Sequence, residues 1–126
     1  MLPLSSHLVK FHIDAMVDEC HERARSAGWW SEVDPSDKYH IATKLCLIHS
    51  EISEALEGVR KDKQDDHLPT FSSFEVELAD ALIRIFDLAG GSELRLGAAL
   101  AAKLEYNAQR ADHKPENRAS AGGKKI

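Results

Sequence analysis

Apolar residues recur along this chain at spacings of three and four, the signature of amphipathic helices, and four such segments stand out. The first starts with Ser5 or Ser6 as its N-cap and runs to about Ala27. Leu8, Phe11, Ala15 and Met16 mark its apolar side, and Gly28 stops it. The second spans roughly residues 38–60, with the stripe Ile41, Leu45, Ile48, Ile52, Leu56 and Val59. The third spans roughly 74–89 along Phe74, Leu78, Leu82, Ile85 and Ala89, and the pair Gly90-Gly91 is expected to end it. The fourth spans roughly 95–110 along Leu96, Leu100 and Leu104. Residues 29–37, with Trp29, Trp30, Pro35 and Ser36, predict a turn-rich connector, and the charged, aperiodic residues 61–73 an exposed loop. The tail from Ala111 has few apolar residues and reads as mobile unless it folds over a ligand. No strand-like alternation of useful length occurs, so the expected fold class is all-α.

A chain of 126 residues is one domain's worth, read here as a domain over residues 1–110 followed by the tail, residues 111–126. A domain of this size leaves much of its surface exposed, and oligomerisation is a natural way to bury more. The net charge of −5 argues against a nucleic-acid-coating surface. The charge is uneven: residues 51–87 hold ten Asp/Glu against four Lys/Arg, whereas residues 103–126 hold six Lys/Arg against three Asp/Glu, so the middle favours cations and the end anions. Cys20 and Cys46 are the only cysteines and form no CxxC, which disfavours a cysteine zinc site and is read as two reduced thiols. No signal peptide and no membrane-length apolar run is found in the sequence, and the expected location is the cytoplasm. Seven histidines are scattered without HExxH or a helical ExxH after an acidic position, counting against zinc proteases and di-iron bundles.

Two short acidic motifs carry the chemistry. Glu51-Ile52-Ser53-Glu54 lies in the second helical segment and Glu77-Leu78-Ala79-Asp80 in the third. Residues three apart share a helix face, so each motif presents two carboxylates side by side. If the two helices pack antiparallel, the four carboxylates converge. Close carboxylates repel, and a divalent cation with a preference for oxygen ligands relieves the repulsion. The competing interpretation is a solvated polar face, since Glu77, Asp80, Arg84 and Asp87 lie opposite Leu82 on the helical wheel. In the fourth segment Lys103, Asn107 and Arg110 stand at i, i+4 and i+7, where they offer donors to phosphate or sugar oxygens or form an ordinary charged face.

The run Glu51-x-x-Glu54, Glu77-x-x-Asp80, Lys103-x-x-Tyr106-Asn107-x-x-Arg110 resembles the all-α nucleoside triphosphate pyrophosphatase superfamily, most closely its small single-domain MazG-like members. The resemblance runs nearly continuously over residues 44–110, is most recognisable in ELADALIRIFDLAG and KLEYNAQRADHKPE, and is less specific before residue 44. It implies a bundle of four main helices per chain, completed by oligomerisation into a homodimer or homotetramer. It also implies Mg²⁺-dependent hydrolysis of an NTP or dNTP to the monophosphate and pyrophosphate. By this resemblance Glu51, Glu54, Glu77 and Asp80 hold Mg²⁺, with Mn²⁺ as a substitute, and Glu51 or Glu54 orients or deprotonates the attacking water. Lys103, Asn107 and Arg110 contact triphosphate or sugar, and Trp30 stacks on the base. For Trp30 and its neighbour Trp29, a plug in the core or dimer interface is the other interpretation. The sequence departs from some relatives at Ser50, where they carry a further acidic residue, which leaves the number of ions open. A phosphoribosyl-ATP pyrophosphatase, a dUTPase-type enzyme and a non-catalytic regulatory or scaffolding dimer are the alternatives to be separated.

Overall fold

The computed structural model describes residues 4–126, which are helical and carry no strand. Four long helices follow in order, α1 (Ser6–Ser26), α2 (Lys38–Arg60), α3 (Ser73–Gly91) and α4 (Leu96–Gln109). A 3₁₀ turn, Ala111–His113, and a short helix, α5 (Pro115–Ala119), complete the chain. The tail that the sequence reads as mobile thus carries these two short elements. Among the described residues no helix is long and apolar enough to cross a membrane.

Local chemistry sets the helix boundaries. Asp37 caps α2, its carboxylate accepting from the Tyr39 amide. Ser72 and Glu75 close a reciprocal capping box at the start of α3. The helix α3 stops at Gly91, where the glycine pair predicts its end, but neither glycine takes the left-handed conformation, which falls on Glu93 instead. Their missing side chains serve close packing. A Cβ on Gly90 would strike His21, and one on Gly91 would strike the Trp30 indole.

The chain forms two compact units. One consists of the chain up to Ala15 with Arg95–Ile126, the other of Met16–Leu94. In the first, Gly97 lies against the Lys10 carbonyl and the Asp14 side chain, and Ala101 is buried.

The second unit is built on α2 against α3. The pairings Gly58 with Ser73, Glu51 with Arg84 and Lys44 with Asp87 run in opposite order along the two helices, so they are antiparallel. The face between them is small and polar: Glu51, Ala55 and Gly58 of α2, with Ser73, Ala81 and Asp87 of α3, are buried. A Cβ on Gly58 would come within 2.9 Å of the Ser73 Cβ, which shows how closely the backbones approach. The remaining core is light, chiefly Val17, Cys20, Leu88 and Ala89.

The apolar stripes, by contrast, face outward. Leu45, Ile52, Leu56 and Val59 of α2 and Phe74, Leu78 and Leu82 of α3 are all exposed. Ile41, Ile48 and Ile85 of the same stripes are half-buried and Ala89 is buried, and in α1 the buried residues are Val17 and Cys20 rather than the expected Leu8, Phe11, Ala15 and Met16. Within this chain the polar face, not the apolar one, is turned to the partner helix.

Candidate metal and phosphate site

Antiparallel packing brings three of the four motif carboxylates together. Glu51, Glu77 and Asp80 each present an oxygen, and these oxygens lie within 4.8 Å of one another. Glu51 is buried at 7% exposure, while Glu77 and Asp80 are half-buried. Glu54 is exposed on the next turn of α2 and stands outside this trio, but it remains close enough to perturb both Glu51 and Glu77. An all-carboxylate oxygen set of this kind is suited to hard divalent cations.

The electrostatics separate the three groups. Burial works to raise the Glu51 carboxyl. The hydrogen bond from Arg84, with those shared with Glu77 and Glu54, outweighs it and holds Glu51 below the ordinary carboxylate range. The Arg84 Nε donates to Glu51 Oε1 at 2.7 Å. Arg84 therefore pairs across to α2 rather than along its own helix with Asp80. Glu77 is pushed up to about 7, first by burial, then by its hydrogen bond with Glu51 and the charge of Glu54. Asp80 is raised by burial and by the charge of Glu51. Glu77 Oε2 is buried with no hydrogen-bond partner, an arrangement that costs free energy unless something satisfies it.

A cavity of about 780 Å³ opens beside this trio, with Trp29, Lys44, Glu51, Asp80, Arg84 and Asp87 among its lining residues. The cavity thus joins carboxylates at one place to cationic and aromatic groups at another, the mixture needed to hold an anion through both a cation and direct donors.

Asp87 anchors the polar network at this wall. It is 8% exposed. It takes a 2.8 Å hydrogen bond from Trp30 Nε1, shares one of 2.9 Å with His21 Nδ1, and faces the Lys44 ammonium at 3.5 Å. Lys44 also lies 4.6 Å above the Trp30 ring. The Trp30 indole meets His21 and His40 edge-on, and packs against Gly91. Trp30 is accordingly held by these contacts within its own unit and is half-buried. Its neighbour Trp29 is 71% exposed and lines the cavity.

Lys103, Asn107 and Arg110 belong to the other unit. Lys103 and Asn107 are on α4, whereas Arg110 stands just past its end in an extended conformation. The Lys103 ammonium lies 4.7 Å from the Tyr106 ring. The Arg110 guanidinium makes two bonds to Asp112, Nε to Oδ1 at 3.0 Å and Nη2 to Oδ2 at 2.6 Å, and a longer one to Asn107.

Sequence reasoning passed over Lys44 and Asp87 as site residues. The signal was present, because Lys44 lies seven residues before Glu51 and Asp87 seven after Asp80. Two helical turns place each on the same face as its carboxylate. The chain matches no protein-family model, no curated protein and no solved structure with which it was compared.

Proposed function

We propose that this protein is a divalent-metal-dependent pyrophosphohydrolase, cutting an NTP or dNTP between the α and β phosphates to release the monophosphate and pyrophosphate. The observation that carries the proposal is the meeting of Glu51, Glu77 and Asp80 within 4.8 Å at the edge of the cavity. The residues fit Mg²⁺ or Mn²⁺: the donors are all carboxylate oxygens, and the orphaned Glu77 Oε2 lacks the partner that a cation would supply. Glu51, Glu77 and Asp80 would hold the ion, with Glu54 alongside. Such an ion neutralises phosphate charge and acidifies a bound water.

The chain's own groups do the rest. Glu54, exposed next to the trio, would orient an attacking water or take its proton as a general base. Lys44 and Arg84 set positive charge in the cavity wall, and fixed positive charge stabilises a phosphoryl-transfer transition state electrostatically. Lys103, Asn107 and Arg110 remain proposed contacts for triphosphate or sugar. Trp30 remains the proposed base contact from the sequence, although the exposure of Trp29 favours that neighbour for stacking.

The same proposal includes a four-helix bundle completed by a second copy, as a homodimer or homotetramer. The support is the exposed apolar stripe on α2 and α3, larger than the scattered apolar residues ordinary for a monomer. The acidic balance gives no electrostatic footprint for nucleic acid, and we assign the enzyme to the cytoplasm with its two thiols free.

Pyrophosphate release from a panel of nucleoside triphosphates, phosphoribosyl-ATP and dUTP, with Mg²⁺ and with chelator, tests this reading. Metal-dependent release by the native chain is expected, with loss of turnover in Asp80→Asn and in Glu54→Gln at unchanged helicity. Normal turnover in both variants would refute the carboxylate assignment. The stripe also suits a non-catalytic assembly module, which predicts no response of the melting temperature to Mg²⁺ or nucleotide.

A further inference from the structure

The cavity wall contains three cationic side chains, Arg23, Lys44 and Arg84, and they are not equivalent. The Arg23 guanidinium is 79% exposed and pairs along its own helix with Glu19. The Lys44 ammonium faces Asp87 and covers the Trp30 ring. Arg84 differs from both. Only its Nε is used, on Glu51 Oε1 at 2.7 Å, and among the described residues its Nη1 and Nη2 make no hydrogen bond to the chain. The side chain is 41% exposed, whereas the Glu51 side chain that anchors it is 9% exposed. A buried carboxylate therefore fixes one edge of the guanidinium, and the opposite edge is free at a cavity beside Asp80.

Guanidinium offers five N–H donors in a rigid fork that matches two phosphate oxygens at once. Anchoring Nε removes much of the rotamer freedom such a long side chain loses on binding, so the fork is prepared in advance. We propose that Arg84 is the phosphate-binding side chain of this cavity, taking the oxygens of a polyphosphate on Nη1 and Nη2 while Nε stays on Glu51. The inference rests on the metal-dependent reading above and adds to it the residue through which the protein itself touches the phosphate chain. Arg84 thus links the ligand to Glu51, so that the group holding the anion also orients a carboxylate of the metal trio.

The test separates this role from the metal site by using Mn²⁺ alone and then inorganic tripolyphosphate in the presence of Mn²⁺. Binding of each to the full chain is measured by titration calorimetry for the native protein, Arg84→Met and Arg84→Lys, with helicity followed by circular dichroism. The native chain is expected to bind both. Arg84→Met is expected to keep its Mn²⁺ affinity, or tighten it because a competing cation is gone, and to bind tripolyphosphate at least tenfold more weakly. Arg84→Lys, which keeps the charge but not the fork and preserves the fold if Arg84→Met does not, is expected to lose several-fold. Unchanged tripolyphosphate affinity in the folded variants, or no tripolyphosphate binding by any of the three proteins, overturns the role of Arg84 and leaves the metal reading in place. Loss of Mn²⁺ binding together with tripolyphosphate in a folded variant shows that Arg84 only holds Glu51, and also overturns it. A native chain that binds no Mn²⁺ removes the metal reading and this inference with it.

Discussion

Glu77→Gln removes one negative charge from the trio with almost no change in shape, and its effect can be worked from the geometry. Glu77 lies with Glu51 and Asp80 such that their oxygens are within 4.8 Å. At that separation a pair of like charges repels by about 3.5 kcal/mol at an effective dielectric constant of roughly 20. Arg84 sits on Glu51 and offsets most of one such pair, and the half-exposed surroundings screen the other. A net repulsion of about 1–2 kcal/mol remains. At pH 8, above the value of about 7 for Glu77, that repulsion is present in the native chain and absent in the variant. The metal-free variant is therefore expected to be the more stable protein. For a domain of this size the gain raises the melting temperature by about 3–8 °C. Addition of MgCl₂ should raise the melting temperature of the native chain and have little effect on the variant, since a ligand stabilises only the form that binds it. Thermal melts of both proteins at pH 8, with chelator and with MgCl₂, read all four states. A metal-free variant melting at or below the native chain, with Mg²⁺ stabilising both equally, would refute the reasoning.

Two further outcomes follow from the same structure. In the metal-free chain Glu77 and Asp80 titrate above their ordinary values, so the folded state binds more protons than the unfolded one and stability falls as pH rises from about 4.5 through about 7. Glu51 is lowered and acts oppositely, its contribution being lost as pH falls below the carboxylate range. A urea midpoint highest near about pH 5 and declining toward pH 8 is expected, and a midpoint that rises over that interval would contradict it. Gly91→Ala drives a methyl group into the Trp30 indole and should cost about 1–3 kcal/mol in chemical denaturation; an unchanged midpoint would show that the contact has slack.

Much of the helical organisation was legible because it is local. The apolar period over residues 38–60 gives α2 the limits Lys38–Arg60 that the structure shows, although the caps Asp37 and Ser72-x-x-Glu75 were passed over. The spacing that puts Glu51 on one helix face, and Glu77 with Asp80 on another, was legible for the same reason. What was not legible depends on partners distant in sequence. Gly90 and Gly91 look like a helix end and stand at one, but the close approach of His21 and Trp30 that keeps side chains off them depends on residues far away in sequence. Trp29 and Trp30 are adjacent in sequence. Trp30 is half-buried against Asp87, His21, His40 and Gly91 while Trp29 is exposed at the cavity, a difference set by which side of a turn each occupies. Arg84 could be assigned by spacing to Asp80, but antiparallel packing offered it Glu51 instead.

The inward polar face and the outward apolar face have a common physical origin. Helices that meet through Leu and Ile stand about 8–10 Å apart, because the branched side chains hold them there. Gly58, Ser73, Ala55 and Ala81 let α2 and α3 come closer. That closeness brings Glu51 of one helix to Glu77 and Asp80 of the other. An apolar interface in the same place would have separated the carboxylates and buried no chemistry. The consequence falls on the other face. With small and charged residues between the helices, only part of the transfer free energy of Leu45, Ile52, Leu56, Leu78 and Leu82 is gained within the chain, and each such side chain is worth about 1.5–3 kcal/mol when fully buried. The second copy included in the proposed function would recover the remainder. The stability it adds would offset the repulsion built into the trio, so on this reading assembly and the acidic site are two results of one choice of residues at the α2–α3 contact.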